Sequence, residues 1–294
     1  MAQITRAGIV AKTRLAEAAG VIAELAGWLE AQGVHPVFDT ETAALVGLPS
    51  GRPTWDRDEL PGQCDLLVVL GGDGTLIGMA GRVANAGVDI PILGVNFGSL
   101  GFLTEITLPE LFPALEAVLA GRAQIEARLM LRARTLRDGS LFSDRLALND
   151  VVITRGALSR IIDLAVSIGD QPVMRVRADG LIIASPTGST AYNLAAGGPI
   201  VHPAVDALLL TPIAPHMLTN RPIVVPAASE IRVQPAFGAS NDELFVTLDG
   251  QSGHDMHAED TIVVRRAERQ VRLVRAATRT YFDVLREKLK WSER

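Results

Sequence analysis

The first 120 residues alternate between short continuous apolar runs and longer segments with helical spacing. Continuous apolar runs predict buried strands, and they occupy residues 8–11, 36–38, 66–70 and 91–95. Between these runs, apolar residues recur every three or four positions, which predicts helices around residues 15–29, 76–83 and 108–119. Strands that alternate with helices indicate a parallel sheet with helices on its faces. We therefore predict an α/β N-terminal domain over residues 1–121.

The pattern changes after Gly121, where short alternating runs separated by turn signals such as Asp138-Gly139 and Gly169-Asp170 predict a β-rich domain over residues 122–276. The predicted strands are 129–135, 146–154, 161–168, 173–176, 181–184, 223–225, 230–233, 244–248, 261–265 and 270–274. Residues 48–61 read as a surface loop, a candidate mobile flap. Apolar residues 281, 282, 284, 285 and 289 share one face of a final helix, which we expect within 277–294 and packed on the first domain.

Composition narrows the class of protein. Hydrophobic residues make up 48% of the 294 and aromatic residues only 4%, so the core is aliphatic. The net charge is 28 − 33 = −5, which argues against broad nucleic-acid binding. One cysteine, Cys64, excludes an internal disulfide and suits a reducing compartment. We find no signal peptide and no run of ~20 apolar residues that could span a membrane. The expectation is a cytoplasmic protein without membrane contact.

The most informative motif is Gly71-Gly72-Asp73-Gly74-Thr75, directly after the apolar run 66–70. Thr75 is predicted to open the following helix. Glycines allow backbone angles that let amide N–H groups converge near a helix N-terminus, where phosphate is favoured. A carboxylate at that point suggests a metal ion, a hydroxyl group to be activated, or both. A plain strand-to-helix turn with Asp73 as a cap is the alternative interpretation.

Two common nucleotide motifs are missing from the sequence. Gly72-x-Gly74 does not complete the dinucleotide fingerprint, because Ile77 occupies the position of its last glycine. The sequence Gly-Lys-Ser/Thr does not occur, which excludes an ordinary P-loop. The turn therefore belongs to neither class.

A second candidate region has almost no charge. Asp206 is the only acidic or basic residue between Gly180 and Asn220, and this region contains the hydroxyl-rich stretch 185–193. Neutral donors, small residues and one tyrosine suit a neutral heterocycle and its ribose in a dry pocket. A buried helix start is the alternative interpretation of the same stretch.

Further polar groups follow predicted strands, at Asn149-Asp150, Asp179-Gly180 and Asp249-Gly250-Gln251. Turn chemistry explains each of them separately, although they could also gather in one cleft. His254 and His257 have metal-ligand spacing, but they are predicted in a polar loop without a third ligand, so solvent exposure is favoured over a metal site.

Together, these segments resemble bacterial NAD kinases. The resemblance rests on the Gly71–Thr75 turn, on residues 94–104, on Asn149-Asp150 and on residues 179–203. The glycine turn alone is shared with 6-phosphofructokinases and with diacylglycerol and sphingosine kinases. The stretch Thr187-Gly-Ser-Thr-Ala-Tyr-Asn193, followed by Gly197-Gly-Pro199, is far more specific.

The resemblance implies a Rossmann-like α/β N-terminal domain, a sandwich-like all-β C-terminal domain that binds NAD, and an active site between them. It also implies a homo-oligomer, a dimer or tetramer, with an active site shared between subunits. The reaction would be transfer of a phosphoryl group from ATP, with a divalent cation such as Mg²⁺, to the 2′-hydroxyl of the adenosine ribose of NAD. The product would be NADP.

Individual roles follow from the same resemblance. Asp73 would be the general base, and no metal-ligating residue is predicted. Phosphate binding is predicted for Gly71, Gly72, Gly74 and Thr75. NAD binding is predicted for Asp73, Gly74, Asn149, Asp150, Arg160, Arg177, Asp179, Thr190, Ala191, Tyr192, Asn193, Leu194, Ala195 and Gln251.

Three positions bear on the family pattern, two as departures from it and one as a marker of specificity. Many relatives have Glu at the position of Asp150, so Asp150 is a shortened equivalent. Arg177 is associated in the family with a preference for NAD over NADH. Phe97 stands where many relatives have a polar or basic residue.

Two other functions remain open from the sequence. A kinase for a sugar or lipid alcohol could use the same glycine turn. A catalytically silent dinucleotide sensor could use the same binding segments, although the intact Asp73 argues against it.

Overall fold

The computed structural model describes residues 3–13, 15, 17–47, 53–155, 161–217, 219–236 and 244–291. The chain forms two compact units, of which unit 1 comprises Met1–Ala127 and Val271–Arg294 and unit 2 comprises Arg128–Gln270. The chain passes from unit 1 to unit 2 after residue 127 and returns to unit 1 after residue 270. Each of these points lies six residues from a predicted domain boundary, at 121 and 276.

Unit 1 is an α/β unit built on a parallel sheet. Its first elements are β1 (Arg6–Ala11), α1 (Ala18–Ala31), β2 (His35–Asp39), α2 (Thr40–Val46), β3 (Thr54–Trp55), β4 (Leu66–Gly71), α3 (Asp73–Ala86), β5 (Pro91–Asn96), β6 (Ile106–Thr107) and α4 (Leu111–Leu119). The strand order is β5-β4-β1-β2-β3, and β6 pairs with β5. Every one of these pairs is parallel. All residues of β4 and β5 are buried, which explains their continuous apolar runs.

Unit 2 is a β-sandwich. Its elements are β7 (Ile125–Arg137), β8 (Ser140–Ala147), β9 (Asp150–Arg155), β10 (Ile162–Ile168), β11 (Gln171–Ala178), β12 (Gly180–Ala184), α5 (Tyr192–Ala195), β13 (Ala207–Ile213), β14 (Ile223–Pro226), β15 (Ile231–Pro235), β16 (Leu244–Leu248), β17 (Ser252–Met256) and β18 (Thr261–Val274). One antiparallel sheet has the order β14-β13-β12-β9-β16-β17, and β10, β11, β15 and β18 form antiparallel pairs in another. Alternate residues of both sheets, among them Ile153, Ile183, Leu164 and Val233, share one core.

The chain returns to unit 1 at its end. Val271 to Val274 are the last residues of β18, and Arg272 pairs in parallel with Pro91 of β5. Helix α6 (Tyr281–Lys288) then begins at a capping box formed by Thr280 and Asp283. Together with the parallel sheet of unit 1 and the sandwich of unit 2, this confirms the fold class predicted from the sequence.

Several element predictions were wrong in detail. Helix α3 begins at Asp73 rather than Thr75, and residues 261–274 form one continuous strand instead of two. The predicted strand 146–154 is interrupted at residues 148 and 149. Strands β8, β13 and β17 were not predicted, so His254 lies on a strand rather than in a loop.

Two surface predictions also need correction. Phe282 is 59% exposed and does not belong to the buried face of α6, whereas Val284 and Leu285 are buried. The predicted loop 48–61 contains β3, and Leu60 in it is fully buried. Within this segment, Arg57 forms an ion pair with Asp39, with 2.7 Å between Nε and Oδ2. Residues 48–52 lie outside the described residues.

A buried ion pair joins the last segment of unit 1 to residues before β6. Arg275 Nε lies 2.9 Å from Glu105 Oε2, and both side chains are more than 90% buried. Arg275 Nη1 also donates to Glu126 at 2.6 Å. Removing one partner of a buried pair leaves the other charge poorly solvated.

We expect Arg275→Met to lower the free energy of unfolding by about 3 kcal/mol, because Glu105 loses the guanidinium that faces it. Arg286→Met is the matched control, since Arg286 and Asp283 form an exposed pair on α6, and it should cost less than about 0.5 kcal/mol. Urea denaturation of both variants measures the difference. Equal losses would show that burial does not decide the strength of these pairs.

Candidate active site

Two neighbouring parallel strands of unit 1 end side by side. Leu70 pairs with Val95 and Gly71 with Asn96, so the turns that follow β4 and β5 emerge at the same edge of the sheet. The backbone N–H of Phe97 donates to the Gly71 carbonyl oxygen at 3.1 Å. The carboxyl ends of parallel strands are where open α/β sheets bind ligands.

The Asp73 carboxylate is held by the turn that follows β5. Its Oδ1 accepts hydrogen bonds from the backbone N–H of Leu103 at 3.1 Å and from the N–H and hydroxyl of Thr104, both at 2.9 Å. Its Oδ2 accepts one hydrogen bond, from the N–H of Phe102 at 2.8 Å. Four donors therefore fix a half-buried carboxylate at the N-terminus of α3.

This turn leaves no room for a side chain at Gly101. A Cβ there would lie 2.1 Å from Asp73 Oδ1 and 2.4 Å from Thr104 Oγ1. Thr104 is fully buried, and Asn96 Nδ2 lies 3.3 Å from its hydroxyl. The Asp73 carboxylate can therefore occupy this position only because residue 101 has no side chain.

The backbone-angle argument for the glycine turn was wrong. Gly72 has φ −128°, which any residue adopts, and none of the described glycines with positive φ lies between residues 71 and 74. A Cβ on Gly71 would lie 2.9 Å from Thr75 Oγ1, whereas a Cβ on Gly72 or Gly74 would have no other described atom within 4 Å, apart from its chain neighbours and the backbone of α3 itself. Gly72 and Gly74 therefore leave open space at the start of α3, where a ligand can approach the backbone.

In unit 2, Asp249 clamps the turn that precedes β9. Its carboxylate accepts from the backbone N–H groups of Leu148, Asn149 and Asp150 at 2.8, 2.7 and 3.1 Å. Its own N–H donates to the Asp150 carbonyl oxygen at 3.0 Å. Asp249 has φ +53°, a left-handed conformation that Asp tolerates better than most residues.

Ser185 holds the same turn from the other side. Its N–H donates to the Asn149 carbonyl oxygen at 2.9 Å, and its hydroxyl bonds to the Leu148 carbonyl oxygen. A Cβ on Gly188 would lie 2.1 Å from the Asn149 carbonyl oxygen. Unit 2 therefore brings three predicted segments together: residues 148–150, residues 185–188 and Asp249.

Two side chains of this turn have unusual surroundings. Asn149 Oδ1 is buried without a hydrogen-bond partner in the described structure, which is costly unless a ligand supplies a donor. Asp150 is 5% exposed. Burial, and next to it the charge of Asp249, raise the pKa of Asp150 to about 7.

The hydroxyl-rich stretch packs on the outer face of the sheet that contains β12, where Ala196 and Val201 contact Ile182 and Leu209. Asn193 is buried, and its Nδ2 donates to the carbonyl oxygens of Ser189 and Pro199, while its Oδ1 accepts from Thr211. The Asn193 side chain therefore holds this segment in place, whereas Tyr192 is exposed.

The remaining predicted residues lie elsewhere in unit 2. Thr190, Ala191 and Leu194 are half-buried, and Ala195 and Gln251 are exposed. Asp179 precedes β12 and lies 3.3 Å from Arg155, while Arg177, at the end of β11, is exposed. Arg160 lies outside the described residues.

Asp179 and Asp150 lie at opposite ends of the β9–β12 ladder. Gly180 pairs with Thr154, and Ala184 pairs with Asp150. Four steps of about 3.3 Å separate the two ends, so roughly 13 Å of strand lies between them. The structure does not bring Asp179 to the Asn149–Asp150 turn of its own chain.

Within the described residues, no three His, Cys, Asp or Glu side chains group closely enough to hold a metal ion. No described helix is long and apolar enough to cross a membrane. His254 Nε2 lies 2.8 Å from Thr135 Oγ1, a structural contact.

Family models match both parts of the chain. Residues 7–123 match the ATP-NAD kinase N-terminal domain, and residues 148–276 match the ATP-NAD kinase C-terminal domain. The chain belongs to the NAD kinase family. This confirms the resemblance drawn from the sequence.

Similar proteins support the assignment to the NAD kinase family over nearly the full chain. A curated NAD kinase from Geotalea daltonii is 49% identical, covering 97% of this chain and 98% of its own length. One from Geobacter sulfurreducens is 47% identical with the same coverage. Among solved structures, a yeast NADH kinase in complex with NADH matches with a TM-score of 0.89 at 27% identity, covering 99% of this chain and 89% of the other. An Archaeoglobus fulgidus NAD kinase in complex with ATP matches with a TM-score of 0.73 at 26% identity, covering 96% and 99%.

Thr104, Gly101, Ser185 and Asp249 lie in segments that the sequence singles out, but it does not predict their individual positioning roles. The contacts of Thr104 and Asp249 span 31 and about 100 residues of sequence, so no local pattern indicates them. The available signals were their places inside these segments and, for Asp249, the Asp-Gly turn pair.

Proposed function

We propose that this chain transfers a phosphoryl group from ATP to the 2′-hydroxyl of the adenosine ribose of NAD, forming NADP. Membership of the NAD kinase family supports this function over a sugar kinase, a lipid kinase or a silent sensor. One structural observation carries the proposal. A carboxylate oriented by four donors stands beside Gly72 and Gly74, whose open surroundings leave room for a phosphate chain.

Asp73 acts as the general base in this proposal. A secondary alcohol is a poor nucleophile at neutral pH, and phosphoryl transfer depends mainly on alignment and charge neutralisation. Correct placement can supply roughly 7–11 kcal/mol, and a general base contributes about 10²–10⁴-fold. The rigid hold on Asp73 suits a base that must meet one hydroxyl group in one orientation.

The phosphates are bound by the start of α3, through Gly71, Gly72, Gly74 and Thr75. Gly71 itself packs against Thr75, so the open space for the phosphates lies at Gly72 and Gly74. The divalent cation enters with the ATP phosphates as part of the substrate, because Mg²⁺ usually binds through substrate phosphates, water and one or two carboxylates.

NAD is bound mainly by unit 2 in this proposal. Asn149 Oδ1, which is buried with no hydrogen-bond partner among the described residues, accepts a hydrogen bond from a ribose hydroxyl, and Asp150 binds next to it. Asn193 contributes by fixing the adenosine-binding segment rather than by its own amide. The other proposed NAD contacts are Asp73, Gly74, Arg160, Arg177, Thr190, Ala191, Tyr192, Leu194, Ala195 and Gln251.

Asp179 reaches NAD in a neighbouring subunit. Its distance along the strand ladder from the Asn149–Asp150 turn supports this assignment. We propose a homo-oligomer, a dimer or tetramer. Sedimentation velocity of the parent tests the assembly, and an NADP assay of the parent and of Asp179→Ala tests the loss of activity. A fully active monomer would contradict the shared site.

We place the enzyme in the cytoplasm. The one cysteine is buried, and burial raises the pKa of its thiol to about 12, so Cys64 is a packing residue suited to a reducing compartment. Fractionation of the source cells with an antibody to the chain tests the location.

The direct test of function is incubation of the purified chain with ATP, Mg²⁺ and NAD, followed by an assay for NADP. Formation of NADP is expected. Its absence, with ATP consumed only when a sugar or lipid alcohol is added, would favour the other kinases. Replacing NAD with NADH, in the parent and in Arg177→Ala, tests the proposed preference for NAD.

We expect Gly74→Val to fold normally and to raise the KM for ATP or NAD at least tenfold. The reason is that the new Cβ clashes with no described residue outside α3 and its chain neighbours, but the side chain enters the space assigned to the ligand. Gly81→Val, also on α3 and with open surroundings, is the control and should keep the parental KM. Unchanged KM values in Gly74→Val would remove this end of α3 from the binding site.

A further inference from the structure

The two oxygens of the Asp73 carboxylate are occupied unequally. A carboxylate offers about four acceptor positions, two on each oxygen. Oδ1 accepts three hydrogen bonds, from Leu103 and twice from Thr104. Oδ2 accepts one, from Phe102. Among the described contacts, the free acceptor position is therefore on Oδ2.

We propose that Oδ2 of Asp73 is the atom that takes the proton, and that Thr104 is the positioning residue that presents it. This inference rests on the proposed function, in which Asp73 is the general base. Thr104 binds Oδ1 with both its backbone N–H and its hydroxyl, so the carboxylate cannot rotate without losing two hydrogen bonds at once.

Thr104 is itself held on several sides. Its side chain is fully buried, and its methyl group lies close to Gly94, where a Cβ would be only 3.2 Å from it. Asn96 Nδ2 lies 3.3 Å from its hydroxyl and donates to the Ser99 carbonyl oxygen at 2.7 Å. A β-branched residue in such surroundings has one accessible side-chain rotamer. The orientation of Asp73 therefore derives from β5 and its turn, not from α3 alone.

The proton transfer follows from this assignment. The ribose 2′-hydroxyl gives its proton to Oδ2 as its oxygen forms a bond to the γ-phosphorus of ATP. The bond between that phosphorus and the β,γ-bridging oxygen breaks, and ADP leaves with the electron pair. Oδ1 takes no proton, because its donors already occupy it. Asp73 then releases the proton to solvent.

The test compares Thr104→Val with Thr104→Ser. Valine keeps the shape but removes the hydroxyl, and hydrogen bonds to charged groups are strong. We expect kcat to fall about ten- to hundredfold in Thr104→Val, with the KM for NAD and ATP within about twofold of the parent. Thr104→Ser should restore most of kcat. A parental kcat in Thr104→Val, or loss of kcat in both variants to the same extent, would overturn the proposal.

A double-variant cycle separates this inference from the proposed function. If Thr104 acts through Asp73, Asp73→Asn/Thr104→Val should have the kcat of Asp73→Asn alone. Multiplicative losses would contradict the inference while leaving Asp73 as the base. A parental kcat in Asp73→Asn would instead remove the general base itself.

Gly101→Ala tests the same contact without changing Thr104, should Thr104→Val fold poorly. Its Cβ would displace Asp73 Oδ1 and Thr104 Oγ1, so we expect a fall in kcat at least as large as in Thr104→Val. Gly81→Ala, on α3 with open surroundings, is the control and should keep parental kcat. Parental kcat in Gly101→Ala would show that the position of the carboxylate does not matter.

Discussion

Asp73→Asn is expected to lower kcat by about 10²–10⁴-fold, because the amide cannot take the proton of the ribose hydroxyl. The chain should keep its fold. A modest loss of stability, on the order of 1–3 kcal/mol, is expected, because an amide group in place of Oδ2 would face the N–H of Phe102, where the carboxylate accepts. Steady-state kinetics and thermal denaturation measure the two effects separately.

Binding measurements tell a lost base from a distorted site. The Kd for NAD, measured by calorimetry, should stay within a few-fold of the parent in Asp73→Asn. Asp58→Asn is the control, since that carboxylate is 82% exposed in the same unit, and its kcat should not change. Equal turnover in Asp73→Asn and in the parent enzyme would mean that another group, or the substrate itself, takes the proton.

The sequence predicted the sheet of unit 1 well because its central strands are buried on both faces. Residues 66–70 and 91–95 are apolar at every position, which is typical of parallel strands between two layers of helices. Strand β8 was not predicted because half of its residues are polar, its apolar residues do not alternate, and Leu141 and Phe142 are exposed. It is a strand because it pairs with β7, Leu131 opposite Ala147, and such pairing is not visible in a local pattern.

The chemistry of the site was predictable only in part. Asp73 stood out because an acid in a glycine turn after a buried strand is unusual. The sequence does not predict which residues hold the Asp73 carboxylate. Thr104 lies 31 residues later in the chain, and only the parallel pairing of β4 with β5 brings it to Asp73. The special backbone angles first expected of the glycine turn are absent, and Gly72 and Gly74 instead leave open space at the start of α3.

Asp249 illustrates the same limit in unit 2. The Asp-Gly pair at residues 249–250 indicates a turn, and the structure has one. Its carboxylate, however, serves a turn 100 residues earlier in the chain. It thereby places its own half-buried carboxylate beside the buried carboxylate of Asp150. The cost of that arrangement to the fold should be measurable.

Asp150→Asn is expected to stabilise the protein above pH 7. Burial and Asp249 raise the pKa of Asp150 from 3.8 to about 7, so the folded state holds a proton that the unfolded state has lost between these values. Stability therefore falls as pH rises from about 4 to about 7, and the full cost is present above pH 7. One pKa unit corresponds to about 1.36 kcal/mol, which makes about 4 kcal/mol an upper bound for the gain in Asp150→Asn at pH 8.

The measurement is urea denaturation of the parent and of Asp150→Asn at pH 5 and pH 8. The stability difference between the two proteins should be clearly smaller at pH 5 than at pH 8, because the folded parent keeps its proton at pH 5 and must bury the charge only at pH 8. Asp255→Asn, an exposed position on β17, should follow the parent at both values. The KM for NAD should rise in Asp150→Asn although the fold gains stability. A buried carboxylate that lowers the stability of the fold is expected to contact the substrate. A stability difference that does not change with pH would show that Asp150 carries no unusual charge cost in the folded protein.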